Sequence, residues 1–159
     1  MQVYSTTFPG RPECVAEVRH WLESMLSPTD HPAIPDDARA AAVLLLSELA
    51  TNALRHALTS ATGGYGIRVA LAPGSIRVEV EDGGPRDDPH HPPRPRDAGP
   101  DDESGRGLVL VAAFADEWGR LHPRHGMYFR LRWPAPPAPA PRDRAALRPR
   151  RPAHGPLRM

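Results

Sequence analysis

Two periods of hydrophobic spacing organise the chain. From Glu13, apolar residues fall at Val15, Val18, Leu22 and Met25, a stripe along one helical face. Pro12 suits the first turn of such a helix. Ser27 to Pro35 reads as a loop, and Asp36 or Asp37 can cap a second helix that runs to about Leu58. That helix carries Val43, Leu45, Leu46, Leu49, Ala50, Ala53, Leu54 and Ala57, so it is apolar on most sides and should be buried. The period then drops to two. Ile67, Val69 and Leu71 alternate with Arg68 and Ala70, and Ile76, Val78 and Val80 with Arg77, Glu79 and Glu81. Pro73-Gly74 between these runs predicts a hairpin. Met127, Phe129, Leu131 and Trp133 alternate with Tyr128, Arg130 and Arg132 in a last strand, and Val3 to Phe8 alternates weakly, as an edge strand would. A third helix, roughly Gly107 to Ala115, places Leu108, Val111 and Ala115 on one side. Phe114 and Trp118 are expected in the core.

Each strand has one apolar and one charged face. The simplest packing is a largely antiparallel sheet with helices on one face and water on the other, an α+β arrangement. Residues 1–133 form the folded unit in this reading. Arg86 to Ser104 has no periodicity, is rich in Pro, Asp, Arg and His, and is long for a loop, which points to a functional or mobile segment. From Pro134 to Met159 the chain is Pro/Ala/Arg-rich and is expected to be disordered.

Composition narrows the chemistry. All 20 basic residues are arginine, so neither a P-loop nor a eukaryotic-type protein kinase, each of which needs a lysine, can be built. The net charge of +1 hides an acidic body and a basic tail carrying Arg142, Arg144, Arg148, Arg150, Arg151 and Arg158. That tail has no interleaved aromatics, and direct DNA binding is not expected. The single cysteine, Cys14, excludes an internal disulfide and fits a reducing cytoplasm. No secretory leader or membrane-spanning run is expected. His90, His91, His122 and His125 lack the spacing of a zinc site.

Three polar clusters stand out. Glu48 and Asn52 lie four residues apart and share one helical face, which Arg55 and His56 continue. A polar stripe on a buried helix needs partners. The amide oxygen of Asn52 suits Mg²⁺, and Glu48 is placed to accept a proton from an attacking hydroxyl. Asp82 ends a strand and precedes Gly83, Gly84 and Pro85. A carboxylate there can accept from the exocyclic amine of adenine, while Gly84 lets a flat ring approach the backbone. Gly105, Arg106, Gly107 and Leu108 open the third helix, where free N–H groups and the helix dipole suit phosphate. Each cluster has a plainer alternative: a wet helix edge, an Asp-Gly turn, a flexible hinge.

Taken together, E-L-A-T-N-A-L-R-H-A, V-E-D-G-G-P, S-G-R-G-L and A-D-E-W-G resemble the GHKL ATPase superfamily, and within it the small bacterial anti-sigma-factor serine kinases. The resemblance covers roughly Thr7 to Trp133. It implies a two-layer sandwich of the Bergerat type, with ATP between the long helix and a lid at about 86–104. By it, Glu48 would be the general base and Asn52 the Mg²⁺ ligand. Asp82 would bind adenine beside Gly84 and Pro85, and Gly105, Arg106, Gly107 and Leu108 would form the phosphate loop, with Arg55 and His56 flanking. Family members phosphorylate a serine on a STAS-type anti-sigma antagonist, alternatively bind a sigma factor, and are usually homodimers. The chain departs from the pattern at Pro85-Arg86, where relatives often have a further glycine, and at Gly126-Met127, where they often have Gly-Lys.

Two functional classes follow. One is an ATP-dependent serine/threonine protein kinase that restrains a sigma factor. The other is a non-catalytic docking switch of the same fold, in which nucleotide changes the partner surface. The ATP domain of a sensor histidine kinase is not expected, since no dimerisation helices precede the motifs. Arg19, on the first helix, is a candidate partner contact by analogy of position.

Overall fold

The computed structural model describes residues 1–57, 63–83 and 104–135. Along the chain come β1 (Gln2–Pro9), α1 (Cys14–Met25), α2 (Asp36–Ala57), β2 (Gly64–Ala72), β3 (Ser75–Glu81), α3 (Ser104–Phe114), β4 (Glu117–Arg120) and β5 (Gly126–Arg132). The strands make one sheet in the order β1-β2-β3-β5-β4, with every neighbouring pair antiparallel. The expected mostly antiparallel sheet is thus wholly so among the described residues.

Register follows from the period-two pattern. Val69 faces Val78, and Val78 in turn faces Phe129, so the apolar rows of β2, β3 and β5 align on one side. A slip of one residue would carry the charged rows into the core, which is why the pairing is specified. On the other side Arg77 and Arg130 face each other as like charges. Glu117 bridges them, 3.7 Å from Arg77 and 3.1 Å from Arg130. Arg77 also stacks over the ring of Tyr128 at 3.6 Å. The charged face is therefore an interlocked layer, not a scatter of solvated side chains.

The helices cover the apolar side. α2 crosses β2, β3 and β5, with α1 packed beside it and α3 reaching β4. Leu45, Leu46 and Leu49 of α2, Val18 and Leu22 of α1, and Val111 of α3 meet Val69, Val78 and Phe129 of the sheet, all essentially solvent-free. The buried stripe of α1 runs through Cys14, Val18 and Leu22. Asp36 and Asp37 do not cap α2 but are its first two residues, where their charge complements the helix dipole. The carbonyl of Pro35 accepts from Arg39 N–H at 3.0 Å and stands at the cap position instead. Arg39 then ties down the loop before α2, donating to the carbonyls of Leu26 and His31 and to Asp36. The hairpin at Pro73-Gly74 forms as expected. Gly74 has φ +74, a left-handed conformation that glycine adopts without steric cost.

Two core expectations are corrected. Phe114, at the last position of α3, is 54% exposed. Trp118 pairs with Phe129 on the helix-bearing face, but β4 is the outermost strand and the ring is 40% exposed. The segment 86–103 and the tail beyond 135 lie outside the described residues, while Ser104, placed at the end of the expected lid, opens α3.

Candidate nucleotide site

The long buried helix α2 sets the first part of the site. Glu48 and Asn52 are one turn apart on it and both are half-buried. Oε2 of Glu48 lies directly against the backbone of Gly107, so that a Cβ at 107 would stand 2.5 Å from it. Glycine at this position is what lets the start of α3 approach α2 so closely. Nδ2 of Asn52 contacts Sδ of Met127 at 3.9 Å, which turns the hard oxygen Oδ1 away from the sulfur.

Asp82 forms the second part. It follows β3 directly and continues the inward row of Ile76, Val78 and Val80. At 8% exposure it is the one buried charged residue among the described residues. Its N–H donates to the carbonyl of His125 at 3.2 Å. Gly83, with φ +72, turns the chain away immediately afterwards. Met127 pairs with Val80, two residues before Asp82, and also touches Asn52. Met127 thus ties Asn52 of α2 to the strand that pairs with the end of β3.

The third part is the start of α3. The glycines were expected to open a helix starting near Gly107; the helix starts at Ser104, so Gly105 and Gly107 are its second and fourth residues. Glycine costs a helix only about 1 kcal/mol per position relative to alanine, and at 107 the missing side chain leaves room for Oε2 of Glu48. The N–H groups of the first three residues of a helix have no partner within it, so those of Ser104, Gly105 and Arg106 make no bond inside α3. Leu108 packs, partly buried, against the core and fixes the helix in place.

The remaining expected residues divide. Arg55 is on α2 and exposed. Gly84 and Pro85, and the side chains of His56 and Arg106, fall outside the described part of the structure. Sequence reasoning overlooked Met127, His125 and Arg124. Arg124 donates to Glu79 at 2.8 Å and to Glu81 at 3.1 Å, beside Asp82. Burial alone would raise the pKa of Glu79, but hydrogen bonds from Arg124 and Arg77 outweigh it and hold the carboxyl below its ordinary range.

These groups suit a magnesium nucleotide. A buried carboxylate suits an amine on a purine, an amide oxygen suits a hard cation, and the N–H groups at a helix start suit phosphate. A groove of about 510 Å³ between α1 and α2 is lined by Glu48 together with Arg19, Val43, Leu44 and Ser47 among others. No helix among the described residues is long and apolar enough to cross a membrane.

Among curated proteins none matches the chain. The family model for the histidine kinase-like ATPase domain matches residues 8–133, from the end of β1 to just past β5. That span contains Glu48, Asn52, Asp82 and Gly107, and an ATPase domain implies ATP binding. With a five-stranded antiparallel sheet and three covering helices among its described residues, the chain belongs to the histidine kinase-like ATPase family.

Proposed function

We propose that this chain is an ATP-dependent serine/threonine protein kinase of the anti-sigma-factor kind. In this reading it phosphorylates a STAS-type antagonist and otherwise holds a sigma factor. The observation that carries the catalytic part is the position of Glu48. Its carboxylate lies against the start of α3, and the residue also lines the groove between α1 and α2. A base that serves transfer to a protein must touch both the phosphate end of the site and a surface that a polypeptide can reach. Glu48 meets both requirements. The choice of partners rests on the resemblance of the four motifs to anti-sigma kinases.

The chemistry is assigned as follows. Asn52 would hold Mg²⁺, which when bound offsets phosphate charge. Asp82 accepts a hydrogen bond from the adenine amine and sets the depth of the nucleotide. The N–H groups at the start of α3 stabilise negative charge on the γ-phosphate. Glu48 orients the serine hydroxyl and takes its proton as the oxygen bonds to γ-phosphorus; the bond to the bridging oxygen breaks and ADP leaves.

Glu48→Gln preserves the shape of the side chain and removes the base. Phosphate transfer from radiolabelled ATP to a STAS-type protein should fall about 10²-fold or more, with ATP binding by calorimetry retained. Transfer at the wild-type rate removes Glu48 as the base. Nucleotide-dependent capture of a partner without any transfer would favour the docking switch instead.

A further inference from the structure

The turn between β4 and β5 is fastened to the end of β3 by three independent contacts. Arg124 splits its guanidinium between two carboxylates, Nη2 to Glu79 at 2.8 Å and Nη1 to Glu81 at 3.1 Å. Glu79 and Glu81 are two apart on β3, so one fork spans successive positions of the outer face. Gly126, at φ +140, packs so closely on β3 that a Cβ would overlap the carbonyl oxygen of Val80 and come within 2.8 Å of Glu81 Cα. Leu121 N–H closes the turn by donating to Gly126 at 2.9 Å. The third contact is functional in position: the carbonyl of His125 accepts the N–H of Asp82.

Asp82 is the first residue beyond the strand, and the register of β3 with β5 ends at Glu81 opposite Gly126. Beyond that rung the chain turns at Gly83, in a left-handed conformation, and the peptide N–H of Asp82 is bonded to the β4–β5 turn. The turn which Arg124 pins is thus one support of the Asp82 peptide group, and so of the point from which its carboxylate departs.

We infer that Arg124 is a positioning residue for nucleobase recognition, acting through the β4–β5 turn to aim the carboxylate of Asp82. The inference rests on the reading of Asp82 as the group that accepts from the adenine amine. Arg124 touches no nucleotide in this arrangement. Its fork binds the outer face of the sheet, and its effect reaches the inner face through one peptide hydrogen bond.

The test is the ratio of affinities for ATP and ITP, measured by calorimetry on the full chain with Mg²⁺. ITP carries an oxygen where ATP carries the exocyclic amine. Partial unfolding reduces the number of competent sites for both nucleotides alike, so a merely structural role leaves the ratio unchanged. The wild-type chain should prefer ATP, and Asp82→Asn should erase the preference. Arg124→Ala should lower the ratio about fivefold, the scale of one weakened hydrogen bond to a charged group. Arg124→Lys, which reaches one carboxylate at a time, should recover part of it. Glu79→Gln with Glu81→Gln, approaching the fork from its other side, should match Arg124→Ala. An ATP preference that Asp82→Asn abolishes but Arg124→Ala and the Glu79/Glu81 double variant leave intact overturns this inference alone. A wild-type chain indifferent to the amine, or a preference that survives Asp82→Asn, overturns the reading of Asp82 and this inference with it.

Discussion

Gly107→Ala separates position from stability in a single atom pair. The added methyl would stand 2.5 Å from Oε2 of Glu48, and 3.6 Å from its Cβ and Cδ. Only the oxygen must move, since the other two separations are ordinary contacts. It must retreat by about 0.9 Å to restore van der Waals distance. Oε2 is the far end of a flexible side chain, so the adjustment costs about 0.5–1.5 kcal/mol as an off-rotamer torsion. Alanine returns about 0.5–1 kcal/mol through its better helix propensity. The two effects nearly cancel, and the melting temperature should shift by no more than about 4 °C. Catalysis has no such compensation. Misplacing a reacting group by about 1 Å costs about 10²-fold in rate, which is about 2.7 kcal/mol of activation free energy. Transfer from radiolabelled ATP and scanning calorimetry on the same preparation read the two quantities. Shortening the base, as Glu48→Asp in the Gly107→Ala background, withdraws the carboxylate and should lessen the clash. An unchanged transfer rate would show that the location of Glu48 is irrelevant to the reaction. A fall in melting temperature of 10 °C or more, beyond the roughly 4 °C allowed above, would show that the packing argument misjudges the site.

The hydroxyl of Tyr65 is buried without a hydrogen-bond partner among the described residues, and burial, with Cys14 and Glu17 nearby, pushes its pKa up to about 12. Tyr65→Phe should therefore raise stability by about 1 kcal/mol, read as an increased melting temperature; a decrease would mean the hydroxyl is satisfied. Glu79 has a folded pKa below its ordinary value, so its contribution is fully present above the unfolded value and is lost as pH falls through the folded one. Glu79→Gln should flatten the acid limb of a melting temperature profile below about pH 4.5, and an unaltered limb would show that the Arg124 and Arg77 contacts carry no linkage.

The legible part of the fold was the part whose signal is local. Period two in Ile67 to Leu71, Ile76 to Val80 and Met127 to Trp133 located three strands and their inward faces. The apolar girth of α2 announced its burial, and Glu48 with Asn52 stood out as polar exceptions on it. β4 was not legible, because Glu117 to Arg120 is four residues long and has no apolar alternation. Phe114 and Trp118 misled because hydrophobicity says that a residue prefers burial, not that a neighbouring element extends far enough to cover it. The glycines at 105 and 107 read as the opening of a helix, but the contact between Gly107 and Glu48 was not legible, since it is made between α3 and α2. Arg124, Met127 and His125 were invisible as site neighbours, since what brings them to Glu79, Asn52 and Asp82 is the register of β3 with β5. No spacing within the chain encodes that pairing.

Titration calorimetry of the full chain with ATP, with and without Mg²⁺, asks whether the three clusters hold one magnesium nucleotide. The account predicts saturable binding of one nucleotide per chain that strengthens with Mg²⁺. Asn52→Ala should remove that Mg²⁺ dependence, and Asp82→Asn should weaken binding at least about tenfold. Absence of binding heat at several temperatures, or equal affinity in the wild-type chain and both variants, would contradict it.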